Sequence, residues 1–341
     1  MVNLLLINKT KDEEKHGGPY KWAKELAGSL QNNKEVNFDS VNLNWKSLFN
    51  GDFPKATKKV KKSDIVHVYV SNLGIVFLSA YAKLRGKKLV YTCHGNFYEE
   101  WKGKSPWLFV KYYSLAKFAD YLTFPSNYIG DIISKKMNKQ SNVIYLACSL
   151  VKSKTETKKH VKTKNRKYIF LEVTSFDYEK KAKGVSYLTR AFKKFNRIYP
   201  NSELLIIGSG DLLETYKEKY GGSNIEFLGK MPRKKVQEYM QGSNCFIHIS
   251  GLDTLGLTVI EAAKLGKPII ASNIGGIPEI SKDVHLTKNN TASILDNMLE
   301  VYETNKKETD YRHIGKFEEG CSAQKFIGFY KNILKKPLTT K

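Results

Sequence analysis

Short apolar runs without alternation recur along the chain, separated by stretches of helical character. In 65–70 and 245–249 nearly every residue is apolar. Strands of this composition are buried on both faces, as in parallel sheets covered by helices. Strands are predicted at 2–7, 65–70, 88–93, 121–124, 143–147, 168–173, 203–207, 225–228, 245–249 and 268–271. Helices are predicted near 18–31, 74–85, 105–118, 126–138, 184–199, 211–219, 233–241 and 256–265. The fold class is therefore α/β with doubly wound sheets.

The length of 341 residues exceeds what one hydrophobic core usually fills, so two domains are expected. We predict an N-terminal Rossmann-like domain at 1–150 and a C-terminal one at 168–320. Between them, 151–167 is rich in lysine and threonine, which is typical of a linker. The last segment, 321–341, has apolar residues at helical spacing. We expect it to form a helix that packs back on the N-terminal domain.

The chain is strongly basic, with 57 lysine and arginine residues against 33 aspartate and glutamate residues and a net charge of +24. Such a field favours anionic partners, namely nucleic acid, an anionic membrane or a phosphorylated substrate. A lysine-rich surface without any partner explains the same numbers. The four cysteines are scattered without a C-x-x-C pair, so we expect reduced thiols and no zinc site. The N-terminus lacks signal-peptide features and no uncharged run suits a membrane span, so a cytoplasmic location is expected.

The most informative segment is 250–280, SGLDTLGLTVIEAAKLGKPIIASNIGGIPEI. It is predicted to pass from a strand through a glycine-bearing loop into a helix whose first amides suit a phosphate. Asp253 lies in the loop, and Glu261 lies one turn along the helix, where a carboxylate can bind a vicinal diol such as a ribose. The alternative is that Asp253 caps the helix and Glu261 is an exposed acid. The amides concerned belong to Thr254, Leu255, Gly256 and Leu257.

This segment resembles the acid-x7-Glu signature of retaining GT-B glycosyltransferases, in particular glycosyltransferase family 4 (group 1). The resemblance extends over nearly the whole chain, because further parts of the family's pattern follow in order. These parts are Gly17-Gly18, His94-Gly95, Lys183-Gly184 at the start of a helix, Gly208-Ser209-Gly210, Phe227-Leu228-Gly229 and Gly275-Gly276-Ile277-Pro278-Glu279. It implies two doubly wound Rossmann-like domains that face a central cleft.

The resemblance also implies an activity: transfer of a sugar from a nucleotide-diphosphate donor with retention at the anomeric carbon, as in enzymes of class EC 2.4. A UDP-sugar is the favoured donor and a GDP-sugar the alternative; the acceptor is a glycan, a glycolipid or a lipid-linked molecule, and no cofactor is implied. His94, Asp253 and Glu261 are the implied catalytic residues, with His94 as a hydrogen-bond donor to the sugar. For His94 a packing or capping role is the alternative. The implied donor-binding residues are Gly18, Lys183, Gly184, Gly208, Gly210, Thr254, Leu255, Gly256, Leu257 and Glu261.

Two positions depart from the family's pattern. The first acid is Asp253 instead of glutamate, so its reach towards the sugar is shorter by one methylene. Thr174-Ser175 stands where the family usually has Gly-Arg, and the loss of that arginine would remove an interaction of roughly 1.5–3 kcal/mol with the diphosphate. Lys180 or Lys181 is a substitute cation. The alternative function is a catalytically degenerate protein that binds a nucleotide sugar or an anionic polymer.

Several other classes of protein are less consistent with the sequence. No Asp-x-Asp occurs and the remaining histidines have no paired spacing, so we expect no essential divalent metal. An epimerase or a phosphorylase on the same fold is an alternative enzyme, but a phosphorylase needs a lysine-bound pyridoxal phosphate, for which there is no signal. A nucleic-acid-binding role is not expected, because no helix-turn-helix, zinc-finger or RNP-type motif occurs.

Two lysine-rich segments of the N-terminal half indicate an anionic surface as a partner. Segment 55–62 is KATKKVKK, and segment 101–118 interleaves aromatic residues with lysines. This combination suits a membrane interface or a lipid-phosphate acceptor and predicts peripheral binding at the inner membrane face. The alternative for 101–118 is an ordinary core helix with a solvated lysine face, marked by Trp107, Val110 and Ser114.

Overall fold

A computed structural model of the chain describes residues 1–8, 18–31, 33–49, 51–100, 105–148, 150, 167–177, 179–305, 308–318 and 320–336. The chain folds into two compact units, Met1–Ala147 with Gly315–Lys341 and Cys148–Ile314. The chain thus re-enters the first unit at Gly315, before the boundary expected at 320. The linker expected at 151–167 lies outside the described residues except for Lys167.

The first unit contains a six-stranded, fully parallel sheet with the strand order β2-β1-β3-β4-β5-β6. Its strands are β1 Val2–Asn8, β2 Val36–Asn42, β3 Ile65–Val68, β4 Lys88–Thr92, β5 Tyr121–Phe124 and β6 Ser141–Val143. Its helices are α1 Gly18–Gln31, α2 Asp52–Lys62, α3 Leu73–Leu84, α4 Phe97–Glu100, α5 Pro106–Phe118, α6 Asn127–Met137 and α12 Cys321–Lys335. Side chains cap the N-termini of two of these helices, α3 and α6. Asn72 and Ser126 accept hydrogen bonds from the amides of Ile75 and Ile129.

The second unit repeats this plan with the strand order β12-β11-β10-β7-β8-β9, again fully parallel. Its strands are β7 Tyr168–Ser175, β8 Ser202–Ser209, β9 Ile225–Gly229, β10 Cys245–His248, β11 Ile269–Ser272 and β12 His285–Thr287. Its helices are α7 Glu179–Ile198, α8 Leu213–Tyr220, α9 Arg233–Gly242, α10 Leu257–Lys264 and α11 Thr291–Glu303. Because the chain runs from β9 back to β10 beside β7, the topological switch point lies between β7 and β10.

The predicted α/β class is confirmed, and several element bounds are corrected. The strand expected at 143–147 lies at Ser141–Val143, an edge strand in which no residue is fully buried. The helix expected to open at Lys183-Gly184 begins at Glu179, so this pair lies inside α7. Helix α10 begins at Leu257, because the preceding Gly256 has a left-handed φ of 81°.

Helix α12 belongs to the first unit, where it packs through a face that includes Phe326, Tyr330 and Ile333. The ammonium group of Lys88 donates hydrogen bonds to the carbonyl oxygens of Ile333 and Lys336. The N-terminal end of β4 is thereby linked to the last turn of the helix.

Candidate active site

Three ionisable side chains meet where the carboxyl end of β10 runs beside β7, the two strands at the switch point of the second unit. The ring of His248 lies between two carboxylates, with Nδ1 2.9 Å from Glu172 Oε1 and Nε2 3.1 Å from Asp253 Oδ2. The second oxygen of Glu172 accepts a hydrogen bond of 2.7 Å from the Ile249 amide. Glu172 is fully buried, and the side chains of His248 and Asp253 are 4% and 15% exposed.

The two carboxylates determine the charge of the histidine. Burial alone would lower the pKa of His248, but the negative charge of Glu172 and the hydrogen bonds with both carboxylates raise this pKa to about 10. Burial would likewise raise the pKa of Asp253, yet the hydrogen bond from His248 and the charge of Lys181 hold it well below its usual value. At neutral pH the set is therefore an imidazolium between two carboxylates.

Asp253 also organises the loop before α10. Its Oδ1 accepts hydrogen bonds from the amides of Thr254, Leu255 and Gly256 at 2.8, 3.3 and 2.8 Å. Three of the four amides expected to meet a phosphate therefore donate to Asp253 in this structure. Asp253 is not the helix cap that the alternative describes, because the N-cap of α10 is Gly256 and no side chain caps the helix. The role of Asp253 towards a sugar stays a prediction, and so do the phosphate contacts of the four residues 254–257.

The Gly-Gly loop of the motif packs directly on the Asp253 loop. Gly275 has a left-handed φ of 57°, and a Cβ at this position would lie 1.9 Å from the carbonyl oxygen of Asp253. Only glycine fits both the conformation and the space. The loop before α10 is thus held by hydrogen bonds from its amides to the Asp253 side chain, and it packs against Gly275.

Glu261 on α10 forms an ion pair that the sequence pattern does not indicate. Arg233, the first residue of α9, places its Nη2 3.2 Å from Glu261 Oε1. The side chains of Arg233 and Glu261 are 39% and 14% exposed. Glu261 is thus not an exposed acid, and a guanidinium lies beside the carboxylate expected to hold the ribose.

Helix α7 approaches the end of β10 through Gly184. A Cβ there would lie 1.9 Å from the carbonyl oxygen of Ile249, so the helix and the strand end approach each other closely. One turn earlier, the Lys180 carbonyl oxygen accepts a hydrogen bond of 3.0 Å from the Gly251 amide. Lys183 is exposed on this helix, and Lys181 is half-buried near Asp253. The predicted Lys-Gly element therefore lies at the same sheet edge as Asp253.

The predicted glycine turn lies at the end of β8, with Gly208 inside the strand and Gly210 just after it. A Cβ at Gly208 would lie 2.2 Å from the carbonyl oxygen of Thr174, and Gly210 has a φ of 140° beside Asp177. Ser175 donates a hydrogen bond to Asp177. These glycines allow the end of β8 to pack closely on the end of β7 and the residues that follow it. Neither Thr174 nor Ser175 supplies the cation that the family's arginine would provide.

In the first unit, the predicted histidine lies just after β4 in an aromatic cluster. The ring of His94 is 4.9 Å from that of Trp22 and 6.1 Å from that of Tyr69. Burial lowers the pKa of His94 to about 3, so the ring is neutral, and its Nε2 has no hydrogen-bond partner among the described residues. Gly18 is the first residue of α1, and Gly17 lies outside the described residues. The contact of His94 with a sugar stays a prediction.

The two lysine-rich segments lie on helices that both contact α3. Segment 55–62 forms most of α2, segment 106–118 forms α5, and α3 packs against both. Residues 101–104 lie outside the described residues. Trp107 and Val110 are 71% and 49% exposed, so they are not core residues as the alternative for this segment supposed.

Within the described part of the chain, two further kinds of feature are absent. No helix there has the length and apolar character needed to cross a bilayer. No group of three or more His, Cys, Asp or Glu side chains there could hold a metal ion. A cavity of about 1170 Å³ in the second unit lies at the opposite, amino-terminal edge of β7 and β8 and contains none of the predicted site residues.

The two parallel, helix-covered sheets define an enzyme fold of the GT-B class. Sucrose-phosphate synthase from Thermosynechococcus elongatus shares this fold, with a TM-score of 0.72 at 16% identity over 98% of this chain and 100% of that protein. The family model for group 1 glycosyl transferases matches residues 153–316, and that for glycosyltransferase family 4 matches residues 24–148. The chain belongs to this family of glycosyltransferases.

Two curated relatives show the extent of the similarity. An uncharacterized 41.2 kDa protein in the cps region of Klebsiella pneumoniae is 28% identical over 67% of this chain and 65% of its own length. The gpi3 subunit of the phosphatidylinositol N-acetylglucosaminyltransferase of Schizosaccharomyces pombe is 26% identical over 38% of this chain and 31% of its own length. The matched regions therefore span less than two thirds of these relatives.

Proposed function

We propose that this protein transfers a sugar from a nucleotide-diphosphate sugar to a glycan, glycolipid or lipid-linked acceptor, with retention at the anomeric carbon. The observation that carries the proposal is a pair of acid–cation interactions in the second unit: Lys181 acts on Asp253, and Arg233 forms an ion pair with Glu261. Lys183 is exposed on α7, two residues after Lys181. The family matches support this activity at both halves of the chain.

The chemistry requires stabilisation of a departing diphosphate, for which preorganised positive charge is usually the largest contribution. In this proposal Lys183 and Arg233 bind the diphosphate, together with the amino-terminal end of α10. Arg233 then compensates for the arginine absent at Thr174-Ser175. Glu261, already beside Arg233, accepts hydrogen bonds from the ribose hydroxyls. A UDP-sugar is the first donor to test and a GDP-sugar the second, because no described contact selects the base.

We propose that the reaction needs no divalent metal and no cofactor. The positive charge that a metal would bring to the diphosphate is supplied by side chains in this account. The test is sugar transfer or slow donor hydrolysis in excess EDTA, compared with reactions that contain magnesium or manganese. Equal rates support the proposal, whereas activity lost in EDTA and restored by either metal contradicts it.

The acceptor side is proposed to lie at an anionic membrane surface on its cytoplasmic face. Phe77 on α3 and Trp107 on α5 are apolar side chains with 55% and 71% exposure. Helix α3 contacts both α5 and the lysine-rich helix α2. Such a surface suits insertion of apolar side chains while lysines meet lipid phosphates. The similarity to a relative named for phosphatidylinositol supports a lipid acceptor.

The experiment that tests the function combines donor turnover with stereochemistry. Purified protein is incubated with UDP-sugars and with GDP-sugars, and the released nucleotide and the anomeric proton of the sugar product are followed by NMR. Retention of configuration, with loss of turnover in Glu261→Gln, supports the proposal. Inverted product contradicts the retaining mechanism. Interconversion of the sugar without nucleotide release would instead support an epimerase.

A further inference from the structure

The Asp253 carboxylate has little remaining capacity for a ligand. An ionised carboxylate offers about two lone-pair sites on each oxygen. Asp253 Oδ1 already accepts three backbone amides, and Oδ2 accepts the His248 ring. A sugar hydroxyl could therefore use only the one remaining site, on Oδ2. The structure therefore gives Asp253 a task that precedes ligand binding, which is to shape the loop in front of α10.

The His248 ring determines where that carboxylate lies. It is the side chain that joins Asp253 to Glu172 on β7, a strand on the other side of the switch point. Glu172 is fixed in turn by the Ile249 amide. Through these contacts, two central strands of the sheet determine the position of the loop.

We propose that His248 is a positioning residue for donor binding: it holds Asp253 against the amides of Thr254–Gly256 and so fixes the loop and the start of α10 where the diphosphate binds. The identity of the ligand rests on the proposed function, whereas the positioning of the loop does not. Glu172 holds the His248 ring from its buried side. In this proposal neither Glu172 nor His248 touches the reacting atoms.

The hydrogen-bond pattern also bears on the protonation state of the His248 ring. Each ring nitrogen faces a carboxyl oxygen; against two ionised carboxylates both nitrogens donate, and only the imidazolium can do so. The charged groups that act on this set come from three elements: Glu172 from β7, Asp253 from its loop and Lys181 from α7. A pKa near 10 for His248 agrees with this geometry.

His67 in the first unit provides a matched comparison within the same chain. It is also buried in a central strand, but its ring nitrogens face hydroxyl groups, Tyr330 Oη at 2.6 Å and Thr92 Oγ1 at 2.7 Å. Burial lowers the pKa of His67 to about 3, so this ring is neutral. Two buried strand histidines of one protein are thus expected to differ in charge because their partners differ.

The first experiment is ¹⁵N NMR of the histidine rings in the full-length protein between pH 7 and 9. We expect both ring nitrogens of His248 to carry protons and His67 to be a single neutral tautomer. Assignment comes from His248→Gln and His67→Gln. A neutral His248 at pH 7 would overturn the proposal, whether or not the protein transfers sugar.

The second experiment measures hydrogen exchange and binding in variants. In His248→Gln we expect exchange at Thr254–Gly256 to be faster by about 10- to 100-fold, the factor for losing a hydrogen bond to a charged group, and the dissociation constant for UDP or the bound nucleoside diphosphate to rise similarly. His67→Gln should change neither. Unaltered exchange in His248→Gln contradicts the proposal, even if wild-type protein binds no nucleotide.

The double variant Glu172→Gln/His248→Gln separates positioning from stability. It removes one negative and one positive charge together, so the net charge of the set is unchanged and Lys181 remains as a cation near Asp253. It should therefore lose less stability than His248→Gln, while donor KM stays raised more than kcat falls. As the pH is lowered, nucleotide binding by this variant should be lost at a higher pH than in the wild-type protein. The reason is that Asp253 takes up a proton more readily without the His248 cation. Wild-type binding with a wild-type pH profile in this variant would show that His248 only fills space.

Discussion

The ring of His67 and the hydroxyl of Tyr330 are 2.6 Å apart, although 263 residues separate them in sequence. This hydrogen bond joins the central strand β3 to helix α12 inside the first unit. Because both groups are buried, each depends on the other for its hydrogen bond. The C-terminal helix is therefore part of the first unit's core.

Tyr330→Phe should destabilise the first unit. The change removes one hydroxyl and leaves a buried ring nitrogen of His67 without its partner, which costs about 1–3 kcal/mol of unfolding free energy. Urea unfolding of the full chain measures this loss. Tyr113→Phe, at a 37% exposed position, is the control and should have little effect. Equal midpoints for the two variants would contradict the account of α12.

Stability of the first unit should decrease as the pH falls below about 6.5. Burial keeps His67 and His94 neutral in the folded state, with pKa values of about 3, whereas the unfolded chain takes up protons near pH 6.5. The unfolded state therefore binds more protons between these values, and each histidine costs about 2 kcal/mol at pH 5 relative to pH 7. His67→Gln should roughly halve the slope of stability against pH. An unchanged slope would show that His67 is not neutral.

Gly184→Ala and Gly28→Ala form a matched pair on two helices. A Cβ at Gly184 would lie 1.9 Å from the carbonyl oxygen of Ile249, so α7 must shift away from the end of β10. Among the described residues, no atom lies within 4 Å of a Cβ at Gly28. We expect Gly184→Ala to lower the melting temperature and nucleotide affinity, and Gly28→Ala to stabilise α1 by roughly 0.5–1 kcal/mol. Similar behaviour of both variants would contradict the close approach at Gly184.

Arg233→Gln should weaken binding of a nucleoside diphosphate by about tenfold, because it removes a charge-assisted interaction beside Glu261. Lys235→Gln on the same helix is the control, since Lys235 pairs with Glu238 at an exposed position. Calorimetric titration of both variants measures the difference. If the two variants bind equally well, Arg233 does not replace the family's missing arginine.

Trp107→Gln should reduce flotation of the protein with anionic liposomes while leaving nucleotide binding unchanged. The wild-type protein should float with anionic vesicles and not with neutral ones, because the lysines of α2 need lipid phosphate. Phe49→Gln, which removes another largely exposed aromatic residue, is the control for a general loss of apolar surface. Absence of wild-type binding to both vesicle types would exclude the membrane surface.

Continuous apolar runs made most central strands predictable, and β5 was predicted at its observed bounds of Tyr121–Phe124. The edge strand β2 was missed, because Val36–Asn42 has a single buried residue and carries polar side chains. Helix α2 was also missed, since only Ala56 and Val60 of its residues are buried. Edge elements have weak patterns because one side of them faces water.

The residues of the acid-x7-Glu motif were predictable, but their contacts were not. Glu172 and His248 are 76 positions apart and meet only because β7 and β10 become neighbours in the sheet. One signal was available: Glu172 is a charged residue inside an apolar strand, and a buried charge requires a partner. His248 carries no such signal, because its neighbours in sequence are apolar.

The central claim is that the chain binds a nucleotide-sugar donor without metal, and a thermal-shift panel in EDTA tests it most directly. The panel contains UDP, GDP, ADP, CMP and a short DNA duplex, with each nucleotide at about 1 mM. A ligand present at 100 times its dissociation constant adds about 2.7 kcal/mol of stability, which gives a clear shift. We predict a shift with one nucleoside diphosphate, UDP first. No shift with any nucleotide, together with a duplex shift that disappears in salt, would contradict the claim and favour an anionic-polymer-binding protein.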